Sequence, residues 1–580
     1  MLKTHTMKKI HLFVLNKDVK KVSNVLYDLR LMEFFSIKKE KFDSYESEKL
    51  PLESGEILKL RSTITLLKKY HKKDIEEGSD ENAIQKAHDY QEKISKLSKE
   101  ILHLEDEIKR QEILVHLKLS KEQIEDKEST IGFIPIEAGL KLETLKEEKF
   151  KVKTYKDKLT KRLYFYTNTK KINFQFKEFY LPKSVDVSLV SELKTKSQEK
   201  NKIEEKLTDL ANKNLHNIRQ EELHLSKIIA THEAKNNFKK TENFTVLSGY
   251  VPEVLVTKLK RSIEKEIGNK FDIVEEQADE DAPVKLKNGP VTSNFESLLK
   301  MYSFPKYGEY DPTFLVLLAF PLFYGFILGD FGYGLISLIA FTLAKIKWPE
   351  YKEFMSILQL SSISSMIWGI IYGEYFGYEP YYLFPRAYMP ETLLIIALLF
   401  GLFHLNLGFI LGFLNQAKYN IKKAIYNNLS WVVLEIGIIL VVLGNLISQG
   451  VFSYLGYLAM LIAAVMLYLG HGIMGIIEIP SFFTNVFSYA RLMAVGLSSV
   501  AIAVLVNEFS VAFFEKGAFG IVIGITIFTI GHIMNIVLGN FESFLQALRL
   551  HYVEFFTKFY QGDGKEFEPF GSKLHDLKEE

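Results

Sequence analysis

Apolar and polar positions follow two different rules along this chain, and the change falls near Thr313. In the first half the apolar residues are sparse and periodic. Ile10, Leu12 and Val14 alternate, which predicts a half-buried strand. Val19 to Leu29 has helical spacing and Phe34 to Ile37 reads as a second strand, so Lys8 to Lys39 is a strand–helix–strand unit. Ala87, Ile94, Leu97, Ile101, Leu104, Ile108 and Val115 then recur at three- and four-residue steps among Lys, Glu and Gln, and Ile203, Leu207, Leu210, Leu225 and Ile228 do the same. A narrow apolar seam on a charged helix predicts a coiled coil, with the two stretches pairing antiparallel around a compact tip. Two ordinary amphipathic helices on one globular core would satisfy the same spacing.

From Thr313 onward apolar segments reach spanning length at roughly 312–328, 331–346, 354–376, 391–416, 429–448, 452–477, 483–514 and 518–552. About 20 apolar residues cross a hydrocarbon core, so eight spans are expected. The first two are short and share Gly329-Asp330-Phe331-Gly332. An even count leaves both termini on one side. Lys345, Lys347, Lys352, Lys418, Lys422, Lys423, Lys558 and Lys565 fall on the side of the soluble half, against Arg386 and Lys516 on the other, so both termini are expected to be cytoplasmic. Phe482 to Phe514 would be about 50 Å long as a helix and Ala518 to Phe556 nearer about 60 Å, against a core of about 30 Å. Both are therefore expected to tilt steeply. The expected division is 1–310 cytoplasmic, 311–556 transmembrane and 557–580 a cytoplasmic tail.

Composition removes several chemistries. The chain has 580 residues, no cysteine and a net charge of +2. Disulfides, thiol catalysis and cysteine-based metal sites are excluded, and the charge does not point to nucleic acid. The apolar stretch Ile10 to Leu15 is too short for a signal peptide and runs into Lys17, Asp18 and Lys20. There is no phosphate-cradling glycine loop, metal-ligand cluster or nucleophile motif, so no catalytic residue, metal or cofactor is expected. A short repeat, Ser129-Thr130-Ile131-Gly132-Phe133-Ile134-Pro135 and Val246-Leu247-Ser248-Gly249-Tyr250-Val251-Pro252, closes each seam and predicts two small α/β lobes.

The chemistry sits in the last two spans. Arg491 and Arg549 lie inside them, where an arginine costs at least about 2.5–3.5 kcal/mol. Thr484, Ser488, Arg491 and Ser498 share one helical stripe; Asn535, Glu542, Gln546 and Arg549 share another. Such groups can simply join helices. Two arginines, a glutamate and a glutamine on two stripes fit better with an aqueous half-channel beside a fixed positive charge.

Phe487-Ser488-Tyr489-Ala490-Arg491-Leu492-Met493-Ala494 and Leu545-Gln546-Ala547-Leu548-Arg549-Leu550-His551-Tyr552-Val553-Glu554-Phe555 resemble the two signature helices of subunit a (subunit I) of the V/A-type rotary ATPases. Tyr310-Asp311-Pro312-Thr313, Gly325 to Gly334, Ile367 to Gly373 and the Gly249-Tyr250-Val251-Pro252 turn fit the same family, and the compact length favours a bacterial or archaeal member. The resemblance implies a non-catalytic stator subunit in the cell membrane. Its partners would be the rotor ring, the peripheral stalks, a ring cap subunit of the central stalk and membrane lipid, with no nucleic acid. Arg491 would attract the emptied ring carboxylate and block leakage between offset half-channels, and Arg549 would share that role. Gln546 would bond the carboxylate or position Arg549, Ser488 would belong to the same path, and Glu542 and Glu478 would line half-channels. Eukaryotic members place an acid elsewhere on the last helix and carry His where Gln546 stands. A secondary transporter would instead show internal symmetry among its spans, and a coiled-coil tether would leave the paired arginines unexplained.

Overall fold

The computed structural model describes residues 3–35, 43–44, 53–73, 80, 82–126, 129–135, 152–157, 161–168, 176–182, 185–186, 188–380, 384, 386 and 388–572. The end of the expected second strand, residues 36 and 37, lies outside them. The chain is mainly helical and divides into two compact units, Met1–Glu46 with Glu233–Glu580, and Ser47–His232.

In the first unit a mixed-length antiparallel sheet runs in the order β10-β1-β9-β8-β3, with β2 also on β9. Its members are β1 (Met7–Leu15), β2 (Glu33–Phe34), β3 (Asp43–Ser44), β8 (Lys239–Lys240), β9 (Phe244–Pro252) and β10 (Phe271–Gln277). Alternation does what it predicts on β1: Ile10, Leu12 and Val14 are buried against α1 (Val19–Leu29) and the helix following β9, Glu253–Ile267. Residues 565–570 return to this sheet. Val284 N–H donates to the Lys565 carbonyl at 2.7 Å, and Phe570 packs edge-on to Tyr27.

In the second unit α2 (Glu53–Lys68), α3 (Ala83–Leu117) and α4 (Ser188–Lys235) share a core that includes Leu60, Leu67, Ala87, Ile94, Leu207 and Leu210. Asp80 meets Asn214, Glu100 meets Lys196 and Gln111 meets Asp186, so α3 and α4 run antiparallel. The seam read from the sequence changes phase at its end. Val115 is 57% exposed, and Ile113 and Leu117 turn inward instead to pack on Tyr164 of a second sheet, β5-β6-β4-β7. That sheet comprises β4 (Thr130–Pro135), β5 (Val152–Asp157), β6 (Arg162–Thr167) and β7 (Lys177–Glu178).

The apolar half is a helical assembly. Among the described residues, six runs are long and apolar enough to cross a membrane: Pro349–Tyr372, Pro390–Ala417, Ile421–Leu446, Gly450–His471, Ile473–Phe514 and Gly517–Lys558. Ahead of them stand two shorter helices, α5 (Thr313–Leu328) and α6 (Phe331–Lys347). The break between these two has a clear cause. Gly329 takes the left-handed conformation (φ 36°) that ends a helix, and Asp330 caps the next by accepting from Tyr333 N–H at 2.9 Å. Arg386 seals the break. Its guanidinium is 2% exposed, bonds Glu374 at 2.5–2.8 Å and donates to the carbonyls of Ile327, Leu328 and Gly329. A cation at a helix C-terminus answers both the dipole and the unpaired carbonyls.

Gly369 lets the helix Lys352–Tyr372, here α7, press against this break, because a Cβ there would fall on the backbone of Asp330 and Phe331. Gly369→Ala is expected to cost about 1–3 kcal/mol through overpacking. A Cβ at Gly450 meets nothing nearer than 3.6 Å, so Gly450→Ala should leave the protein unchanged. Thermal unfolding in detergent compares the two variants, and equal transitions would contradict the packing argument.

Candidate functional site

Two helical runs of 42 residues each, Ile473–Phe514 and Gly517–Lys558, carry most of the residues singled out above. The first contains α8 (Ile479–Phe487) and α9 (Ala490–Phe514); the second contains α10 (Gly517–Arg549) followed by a π-helical turn at Leu550–Phe555.

Arg491 is the second residue of α9 and is half-buried; its Nη1 is buried without a hydrogen-bond partner. Its charged neighbours are Arg549 and Glu554. Arg549 ends α10 and is exposed. Ser488 sits at the α8–α9 junction, donates to the Thr484 carbonyl at 3.0 Å and neighbours the Glu554 carboxylate. Arg491, Arg549 and Ser488 are thus gathered around one acid, Glu554, which is 1% exposed. Gln546 is one helical turn before Arg549 and half-buried, and its Oε1 is also buried and unbonded. Glu542 is half-buried a further turn back on α10.

Glu478 lies elsewhere, exposed on the wall of a polar cavity of about 190 Å³ with Gln416, Asn428, His471, Ser481 and Lys558. Lys558 connects the two places, having both Glu478 and Glu554 as charged neighbours.

Sequence reasoning passed over Glu554 for a geometric reason. In an α-helix a residue five places beyond Arg549 points about 140° away from it. A π turn, with its i to i+5 hydrogen bonds, brings those two positions back to one face. Its sequence signal was only its place in the Arg549 motif.

Behind the arginines the packing is aromatic and polar. His404 Nδ1 and the Tyr489 hydroxyl are 2.7 Å apart, and the His404 ring stacks on Phe555 with centroids at 4.1 Å. His551 Nδ1–H donates to the Ala547 carbonyl at 2.7 Å. Other members of the two stripes do different work. Asn535 is buried and donates to the Ser499 carbonyl at 2.9 Å and to the Tyr333 hydroxyl at 3.0 Å, so it joins helices. Ser498 donates to Val495 on its own helix.

Among the described residues no group of three or more His, Cys, Asp or Glu could hold a metal ion. What the site can do is electrostatic. It holds two guanidinium groups near one buried carboxylate, with donor and acceptor atoms left open, and such groups recognise a further carboxylate.

Comparison with known proteins bears on the chain's family. The profile of the V-type ATPase 116kDa subunit family matches residues 187–392 and 481–572, which include both arginine helices. The A-type ATP synthase subunit I of Methanocaldococcus jannaschii is 31% identical over 526 residues, covering 79% of this chain and 74% of that protein. The A-type ATP synthase subunit I of Pyrococcus horikoshii is 37% identical over 366 residues, covering 58% of this chain; the match spans little more than half, 55%, of that relative's length. The solved cytoplasmic N-terminal domain of a subunit I, homologous to subunit a of V-ATPase, aligns with 46% of this chain and all of its own at 14% identity; its TM-score of 0.23 is too low to bear on the fold. The chain belongs to the V-type ATPase 116kDa subunit family, and with its six long apolar helices it is a multi-pass membrane protein.

Proposed function

We propose that this chain is the membrane stator of a V/A-type rotary ATPase or ATP synthase, a non-catalytic subunit that supplies the ion half-channels and the arginines facing a rotating ring. The observation that carries this reading is the gathering of Arg491, Arg549 and Ser488 around a buried carboxylate on two 42-residue apolar helices. A permanent charge at that depth has to be repaid by function or by a fixed partner, and Arg491 has no ion pair within 4 Å among the described residues. A ring carboxylate, passing and reversible, is a partner that suits it.

In this reading residues 311–556 cross the membrane eight times, with the short helices α5 and α6 as the first two crossings. Both termini are cytoplasmic and residues 557–580 form the tail. Residues 1–310 form the stator arm, in which α3 and α4 make an antiparallel coiled coil that binds the peripheral stalks. The ring cap of the central stalk and membrane lipid are further partners. Gln546 orients Arg549 or bonds the ring carboxylate, and Glu542 and Glu478 line half-channels.

Co-purification tests the assembly: ring and stalk subunits should accompany this chain. ATP-driven uptake into vesicles carrying the whole complex, in Na⁺-free and Na⁺-containing buffer, tests the transport and identifies the ion. Glu478→Gln and Glu542→Gln should each slow uptake by roughly two- to tenfold with the complex intact, because a wall charge worth about 0.5–1.5 kcal/mol to an ion can be bypassed by water. Unchanged uptake in both variants would make these residues structural.

A further inference from the structure

The residue with the most unusual surroundings is one to which no role has been assigned. Glu554 is 1% exposed, near the C-terminal end of a 42-residue run. A buried carboxylate is retained only if it is paired and hydrogen-bonded. Its surroundings supply three cations, Arg491, Arg549 and, one turn on, Lys558, and one hydroxyl, Ser488. It is nevertheless not closed into a salt bridge: no N–O contact within 4 Å joins it to either arginine, and its Oε2 is buried without a partner, as is Nη1 of Arg491. The backbone is deformed to put it there. The π turn of Leu550–Phe555 begins directly after Arg549, and such turns are frequent at functional sites.

We propose that Glu554 is a positioning residue for Arg491: its fixed negative charge holds the guanidinium between the two helices while leaving the fork open to an exchanging carboxylate. The inference rests on the reading of Arg491 given above. A direct bidentate pair would occupy the fork and compete with any passing acid. With no fixed acid at all, Arg491 would be held only by Arg549, which repels it. Glu554 at longer range meets both needs, with Ser488 beside it at the α8–α9 junction of the same run that carries Arg491. The alternative is that Glu554 serves only to neutralise Lys558 four residues on.

The test uses the whole complex in liposomes, freed of unassembled subunits, and reads ions taken up per ATP hydrolysed. Glu554→Gln should lower that ratio roughly tenfold, the effect of losing about one charge-assisted interaction. Glu554→Asp should recover at least part of it, and Glu554→Gln combined with Arg491→Ala should be no worse than Arg491→Ala alone. Lys558→Met should lower the ratio clearly less than Glu554→Gln does; a loss equal to that of Glu554→Gln would favour the lysine-neutralising alternative and overturn the proposal. A normal ratio in Glu554→Gln would overturn it as well. Where Glu554→Gln yields no assembled complex, Glu554→Asp decides: drawing the carboxylate back by one methylene should lower the ratio about threefold, and an unchanged ratio overturns the proposal. If Arg491→Ala itself transports normally, the reading of the site fails. If Arg491→Ala is inactive and Glu554→Gln is normal, only the positioning role fails.

Discussion

Arg491→Ala is expected to abolish coupled ion transport, by at least about a hundredfold, while the complex still assembles; the loss corresponds to about 3 kcal/mol from one charge-assisted interaction at low dielectric. The reason lies in what the guanidinium offers. It is always charged, weakly hydrated for a cation, and planar, so it can meet a carboxylate with two parallel bonds. Arg491 also has an unbonded, buried Nη1 and no ion pair within 4 Å among the described residues, Glu554 lying farther off, so its fork is not closed within the chain. Arg491→Lys should fail nearly as badly, because an ammonium is a point charge that loses its proton more readily on burial. Arg549→Ala should be damaging but less absolute, since Arg549 is exposed and Arg491 would still hold a positive charge in the gap. The interaction must also release. Polar surroundings such as Ser488, Gln546 and Glu554 keep the effective dielectric above the dry-interior limit, so the ring carboxylate is not trapped. Measuring ATP hydrolysis and ion uptake together in the assembled complex checks this. Near-normal uptake in Arg491→Ala would remove this residue from the ion path.

The second large effect should come from a pair far from the arginines. Arg386→Ala is expected to destabilise the helical half by about 3–5 kcal/mol, the usual cost of leaving one member of a buried ion pair alone. Glu374 would be stranded at 1% exposure, and the last carbonyls of α5 would lose their donor. Glu374→Ala should cost a similar amount by stranding the guanidinium instead. Replacing both, Arg386→Met with Glu374→Leu, should recover only part of the loss. Apolar residues can substitute for an ion pair, but they cannot satisfy the carbonyls of Ile327, Leu328 and Gly329. Thermal unfolding of the purified protein in detergent distinguishes these cases. A double variant as stable as the unmodified protein would mean that the carbonyl contacts contribute little.

Much of this chain could be read before its structure, because local patterns state local geometry. The alternation of Ile10, Leu12 and Val14 marks β1, the spacing from Val19 to Leu29 marks α1 to the residue, and Gly329-Asp330 marks the stop and restart between α5 and α6. Long apolar runs mark helices whose composition suits a membrane, since no other element satisfies every backbone group inside one segment. Arg491 and Arg549 stood out because a charge in such a run is costly wherever it points.

Tertiary structure decided what those patterns leave degenerate. Asn535 and Gln546 share one stripe on α10, yet the first is consumed by Tyr333 and Ser499 while the second keeps an open acceptor, which depends on the neighbouring helix and not on the period. Val115 continues the seam of α3 in sequence but faces outward, because the sheet beside it offers Tyr164 to Ile113 and Leu117 instead. Arg386 reads as a loop charge and proves to be the buried cap of α5, three helices earlier in the chain. Glu554 is the sharpest case. A helical period of 3.6 residues turns it away from Arg549, and only a π turn, a rearrangement of hydrogen bonds that no hydrophobic pattern encodes, returns it to the arginines.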